Sequence, residues 1–231
     1  MESRLGTLEC INIIRQDYYE REISGIIKGK EKVLIVGGGY GDSLEDYYRS
    51  GLKITFTDVE QDAVEYVKKL YMDYNITFRC CSAYNLPFDN NVFDLVVSTL
   101  NGSYLNNIAL KEFNRVMNQD ALLLLSETTI EYIDFMRTIG RYDGRNILAS
   151  DMKTKIFHQY VYEKKELERM CFNCGLNPLL YEVLKPDKLI AHDEISNVII
   201  NFSKHLKIEI SDVPLLYYMF LRKEYKHEDD K

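Results

Sequence analysis

Residues 33–48 read VLIVGGGYGDSLEDYY. Four apolar residues run straight into a glycine cluster, and a helical pattern opens behind it with acidic residues. A strand, a glycine turn and a helix in that order form the opening of an α/β unit that holds a nucleotide-like ligand. The turn is Gly37-Gly38-Gly39-Tyr40-Gly41-Asp42. A dinucleotide fingerprint needs G-x-G-x-x-G, but here the third glycine of the pattern falls at 41, one residue early. Asp42 also puts a carboxylate at the helix start, where a pyrophosphate would sit and where an anion repels it. No Gly-Lys-Ser/Thr follows, which excludes a phosphate loop. Asp42 and Glu45 have capping-box spacing, so a helix cap and a ligand role stand side by side for Asp42. Asp58 closes the next strand, KITFTD, where an acid can accept hydrogen bonds from both hydroxyls of a ribose. The plainer alternative is an acid at a helix start.

The rest of the chain repeats the alternation. Apolar strands are expected at 32–36, 53–58, 76–81, 93–99, 121–127, 176–184 and 215–222, with helices near 43–50, 61–71, 107–117 and 163–173. Strands alternating with helices imply right-handed crossovers and a doubly wound α/β fold with a mainly parallel sheet. Continuously apolar runs such as VLIV and ALLLL fit strands covered on both faces. Segments 128–162 and 185–213 do not fit the alternation, although the second carries a helical pattern at EISNVIINFSKHLK. Ligands sit outside the C-terminal strand ends in such sheets, so insertions there are natural lids or pockets. The expected organisation is a single domain over 1–231.

A net charge of −7 weighs against a nucleic-acid partner, which needs clustered Lys and Arg. The longest apolar stretch, VPLLYYMFL, is too short to span a bilayer, and the N-terminus lacks a secretory pattern. Five cysteines, an odd number without framework spacing, read as reduced thiols in a cytoplasmic protein. Cys171 and Cys174 have no second pair or histidine at zinc-ligand spacing; they read as buried thiols, and no metal site is expected.

Five blocks in order resemble one family, the class I S-adenosylmethionine-dependent methyltransferases of the small-molecule type. They are VLIVGGGYG, ITFTDVEQDAVEYVKK, CCSAYNLPFDNNVFDLVVST, LKEFNRVMNQDALLLLSE and HQYVYEKKELERMCFNCGLNPL. The resemblance covers roughly 30–130 well and 155–184 loosely. It implies a Rossmann-like, seven-stranded sheet with helical insertions forming a lid. Residues 1–28 would be an N-terminal helical lid, and 128–162 and 185–213 would build the substrate pocket.

The resemblance also assigns roles. Gly37, Gly39 and Gly41 would pass close to the methionine part and ribose of S-adenosylmethionine, where a Cβ would obstruct. Asp58 would bind the ribose hydroxyls, Val59 would pack on adenine, and Ser82 and Ala83 would meet the adenine edge. Ser98, Thr99 and Asn101 would lie beneath the methionine part. Tyr18 and Tyr19 would close over the cofactor, a sulfonium beneath aromatic faces gaining cation–π attraction. Two departures stand out: Ile35 occupies a position where many members carry an acid, and Ser82 one where Asp is common. Both remove negative charge near a cationic cofactor. Weaker binding, a compensating acid such as Asp42, or a different cofactor would each follow from that.

Methyl transfer from a sulfonium is an in-line displacement that needs alignment, desolvation and sometimes a base. His158 is the candidate base for a hydroxyl or amine acceptor, against a plain role at a strand start. Tyr104, Glu127, Arg141, Tyr142 and Tyr160 are candidate substrate-binding residues. The expected function is methyl transfer to an O or N atom of a small molecule or peptide, with no nucleic-acid or membrane partner and a homodimer among the open options. The glycine stretch also resembles spermidine synthases, but STLNGS beyond the fourth strand lacks their acid. Aminopropyl transfer and a non-catalytic, cofactor-binding scaffold are the alternatives.

Overall fold

The computed structural model describes residues 6–48, 51–100, 104–140, 146–150, 156–186 and 195–224, with Leu8, Glu45, 146–150 and 156–159 described by backbone alone. The chain opens with α1 (Thr7–Tyr18), a π-helical turn (Tyr19–Ile23) and the short α2 (Ser24–Ile26). Then come β1 (Lys32–Val36), α3 (Leu44–Tyr48), β2 (Lys53–Asp58), α4 (Gln61–Leu70), β3 (Ile76–Cys80), β4 (Phe93–Thr99), α5 (Asn107–Val116) and β5 (Met117–Thr128). These are followed by α6 (Ile130–Thr138), β6 (Asn146–Ser150), β7 (Ile156–Tyr160), α7 (Lys164–Asn173), β8 (Leu176–Leu184), α8 (Asn197–Leu206), a 3₁₀ turn (Ile210–Asp212) and β9 (Leu216–Lys223).

Seven strands form one sheet in the order β3-β2-β1-β4-β5-β9-β8, while β6 and β7 pair as an antiparallel ribbon. β1 runs parallel to β2 on one side and to β4 on the other, and β2 runs parallel to β3. The strand order therefore reverses at β1, and the crevice between the ends of β1 and β4 is the switch point where such sheets bind ligands. This is the doubly wound α/β fold expected from the alternation of strands and helices. Among the described residues no helix is long and apolar enough to cross a membrane.

The chain divides into two compact units. One comprises Gly29–Leu125, Tyr162–Tyr181 and Met219–Lys231. Its core is built from residues the apolar runs dictate: Val33, Leu34, Ile35 and Val36 of β1, Leu95, Val96 and Val97 of β4, and Phe56 of β2 are all buried. α4 turns Ala63, Val64 and Val67 inward, and α5 turns Ala109, Leu110, Phe113 and Val116 inward, each at helical spacing. The Asn106 side chain caps α5 by accepting from the backbone N–H groups of Ile108 and Ala109 at 2.8 and 3.1 Å. Arg115 forms a bidentate pair with Glu112 and donates to the carbonyls of Leu86 and Phe88, which fixes the loop before β4.

The other unit comprises Met1–Lys28, Ser126–Val161 and Glu182–Tyr218. Phe202 of α8 stacks on Phe135 of α6 with centroids 5.0 Å apart and meets Tyr132 edge-on at 5.6 Å. Thr129 caps α6, accepting from the Tyr132 N–H, while its hydroxyl donates to the Pro214 carbonyl at 2.6 Å. α1 is joined to the start of α8 through Thr7 Oγ1 and Ser196 Oγ at 2.8 Å.

Three local expectations shift. α3 begins at Leu44, so Ser43 stands at its N-cap position and exposed Asp42 lies one residue upstream, outside capping-box register. β5 begins at Met117, directly after α5, rather than at 121. Segment 128–162 holds α6 and the β6–β7 ribbon, which the strand–helix alternation does not reveal.

Candidate functional site

The glycine turn follows β1 and is shaped by its neighbours. Gly37, Gly39 and Gly41 have φ of +64°, +54° and +90°, a region L-residues with a Cβ rarely adopt. Gly41 N–H donates to the Gly38 carbonyl at 3.0 Å, and Leu44 N–H to the Gly41 carbonyl at 2.9 Å, so the chain turns tightly into α3. Gly38 N–H reaches the Thr57 carbonyl at 3.0 Å and ties the turn to β2. Gly38 carries a requirement that the sequence motif does not show. A Cβ there would stand 2.1 Å from Cε2 of Phe56, a ring wholly buried on the neighbouring strand. Only the in-register pairing of β1 with β2 brings that ring to the turn.

Asp58 ends β2 and is buried. Its Oδ2 accepts the Gly39 N–H at 2.8 Å and its Oδ1 the Glu60 N–H at 2.9 Å. The carboxylate thus bridges the turn and the start of α4, with its plane fixed by two backbone donors. Around Gly39 a Cβ would meet nothing within 4 Å, so there is room beside the carboxylate. Val59 is 65% exposed, an apolar side chain open to a flat ring. Ser82 Oγ accepts the Tyr84 N–H at 3.2 Å, which keeps its own proton available for donation. Ala83, beside it, is half-buried.

At the end of β4, Ser98 is fully buried and Thr99 half-buried. Ser98 Oγ lies 2.7 Å from Tyr104 Oη, and Tyr104 Oη donates to the Val36 carbonyl at 2.7 Å. Asp58, the glycine turn, Ser98 and Tyr104 are therefore placed at the C-terminal strand ends of one unit. The Ser98–Tyr104 contact is not legible in the sequence, because it depends on β4 lying beside β1.

The remaining candidates belong to the other unit. Tyr18 is buried, stacks on Tyr218 with centroids 5.1 Å apart and donates to Glu182 Oε2 at 2.9 Å. Burial and the Glu182 carboxylate push its phenol well above the ordinary range. Tyr18 thus uses its ring and hydroxyl within its own unit. Tyr19 is buried in the π-helical turn. Glu127 is buried at the end of β5 and accepts both the N–H and the hydroxyl of Thr128, at 2.7 and 3.1 Å. Tyr160 is half-buried at the end of β7. His158 lies on β7 opposite Leu148 of β6, and its side chain lies outside the described residues. Asn101, Arg141 and Tyr142 also lie outside them. Cys10, Cys171 and Cys174 are free buried thiols, and burial pushes Cys171 up to about 12.

Residues 33–120 match a family described as a methyltransferase domain. No curated protein matches significantly. A SAM-dependent methyltransferase of Methanosarcina mazei has a TM-score of 0.67 at 17% identity, over 89% of this chain and 98% of that one. A Haloferax volcanii protein solved in complex with the Trm112 methyltransferase activator has a TM-score of 0.66 at 12% identity, over 95% of each chain. Geranyl diphosphate C-methyltransferase of Streptomyces coelicolor, solved with Mg2+, geranyl diphosphate and S-adenosyl-L-homocysteine, has a TM-score of 0.63 at 13% identity, over 91% of this chain and 81% of that one. The solved structures establish the fold. The family match spans β1 to the start of β5. The expected methyltransferase, with its Rossmann-like sheet, is borne out.

Proposed function

We propose that the chain transfers a methyl group from S-adenosylmethionine to an oxygen or nitrogen atom of a small molecule or peptide. The observation that carries this reading is the Asp58 carboxylate, buried beside the glycine turn and fixed by the N–H groups of Gly39 and Glu60. A carboxylate so held is ready to accept from two vicinal hydroxyls without reorganising. The residues around it fit the cofactor: open space at Gly39, an exposed apolar Val59 and the Ser82 hydroxyl at the neighbouring strand end. Neighbours of the same fold named as SAM-dependent, or solved with S-adenosyl-L-homocysteine, support the choice of ligand.

Bound there, the cofactor supplies an electrophilic methyl on a sulfonium. Asp58 would hold the ribose, Val59 would pack on adenine, and Ser82 and Ala83 would meet its edge. Ser98, Thr99 and Asn101 would support the methionine part. His158 remains the candidate base for the acceptor, and Glu127, Tyr160, Arg141 and Tyr142 the candidates for orienting it, on the strength of the resemblance. Residues 1–28, 128–162 and 185–213 remain the candidate lid and pocket segments that the resemblance implies. Free thiols support a reducing, cytoplasmic setting.

Calorimetric titration with S-adenosylhomocysteine tests the cofactor assignment, and no binding at about millimolar ligand would sink it. Transfer of labelled methyl to a metabolite pool tests catalysis. His158→Ala should lower turnover at least about tenfold and leave cofactor affinity unchanged.

A further inference from the structure

Tyr104 rests in the space that the first glycine of the turn keeps clear. A Cβ on Gly37 would stand 2.4 Å from Tyr104 Oη, 2.6 Å from Cε1 and 2.7 Å from Cζ, so the phenol lies directly on the glycine backbone. Its hydroxyl donates to the Val36 carbonyl at 2.7 Å. That commits the phenol's one proton, so in the 2.7 Å contact with Ser98 Oγ the serine is the donor. Val36 is the last residue of β1 and Ser98 the penultimate residue of β4, the two strands that flank the switch in strand order.

A ligand whose amino-acid end runs along Gly37 needs that same space. Its ammonium, a hydrogen-bond donor like the phenol, would compete for that same acceptor. The two cannot occupy the corner together. Ile35, which precedes the turn, is a wholly buried aliphatic side chain, so it offers an incoming ammonium no carboxylate.

We propose that Tyr104 occupies the methionine end of the cofactor site and gates it. Its hydroxyl stands on the Val36 carbonyl in place of the ligand's ammonium, and cofactor binding requires the ring to leave. This rests on the cofactor reading above. Tyr104 is then a determinant of cofactor affinity rather than a contact for the methyl acceptor. The apparent dissociation constant is raised by the inverse of the open fraction. Two hydrogen bonds of ordinary strength favour the closed form about tenfold or more. The observed association rate also levels off at the rate of ring release as ligand is raised.

The test is binding of S-adenosylhomocysteine to wild type, Tyr104→Phe and Tyr104→Ala, by calorimetry and by stopped-flow, with thermal melts to establish folding. Tyr104→Ala should bind about tenfold more tightly than wild type, with Tyr104→Phe between them. The plateau in association rate should be lost in Tyr104→Ala. If Tyr104→Ala does not fold, Tyr104→Phe decides by the same criterion. Equal or weaker binding by the folded variants, with wild type binding normally, overturns the gate and leaves the cofactor reading standing. No binding by folded wild type at about millimolar ligand overturns both.

Discussion

Asp58 offers the sharpest perturbation of the proposed cofactor site. Both its oxygens already accept a backbone N–H, from Gly39 at 2.8 Å and from Glu60 at 2.9 Å. Each oxygen keeps a second lone-pair direction. Two ribose hydroxyls donating there form charge-assisted bonds of about 1.5–3 kcal/mol each. Asp58→Ala removes both, so a loss of roughly 3 kcal/mol, or about 100-fold in dissociation constant, is expected by calorimetry with S-adenosylhomocysteine. The same substitution strips two backbone donors of their acceptor and loosens the turn, so the raw loss mixes two effects. A 2′-deoxy analogue of the ligand separates them. Against wild type, the missing hydroxyl should weaken binding by about tenfold; against Asp58→Ala, by less than about twofold. The coupling in that cycle is the ribose contact itself. An equal analogue penalty in both proteins would refute the assignment, however large the raw loss.

Gly38→Ala should lower stability by about 2 kcal/mol, because its Cβ meets the Phe56 ring. Phe56→Leu in the same chain should recover part of that loss in denaturant unfolding, and strictly additive effects would refute the clash. At about pH 8 an alkylating reagent should modify exposed Cys80 first and Cys171, pushed up to about 12 by burial, only on unfolding. Peptide mapping by mass spectrometry reads the order, and early labelling of Cys171 would contradict its burial. The Tyr18 phenol is raised above its ordinary value of 10.0. Its contribution to stability is therefore fully present below about pH 10 and lost above it, where the unfolded chain ionises first. Tyr18→Phe should flatten the fall in melting temperature between about pH 9 and about pH 11, and parallel curves would exclude that contribution.

Much of the fold was legible because its strands are buried on both faces. VLIV, FDLVV and ALLLL can be little else when helical patterns separate them, and the observed β1, β4 and β5 contain them. Segment 128–162 was not legible, because among the described residues the β6–β7 ribbon pairs only with itself and leaves no trace in the alternation. At the candidate site, the positions of Asp58 and the positive-φ glycines follow from local spacing. The demand of Phe56 on Gly38, and of Tyr104 on Gly37, does not. Each joins residues on different strands, so it exists only once the register is set.

Ile35 shows how that register changes the meaning of a residue. The resemblance leads one to expect an acid there, and a sequence motif records only that the acid is lacking. In the sheet, Ile35 pairs with Phe56 on one side and Val97 on the other, and it is 1% exposed. Its carbonyl accepts the Thr57 hydroxyl at 2.9 Å. A carboxylate placed among these apolar side chains would be charged only at a large desolvation cost unless a bound cation offset it. The isoleucine therefore favours the packed sheet. In the proposed cofactor site it leaves the ligand's ammonium to the Val36 carbonyl, while Asp58 takes the ribose. Tyr104 competes for that carbonyl. In the proposed gate, the aliphatic Ile35 and the phenol of Tyr104 act in the same direction: each disfavours binding of a cationic ligand. Restoring high affinity by placing an acid at 35 alone should then be incomplete, because the phenol still has to leave.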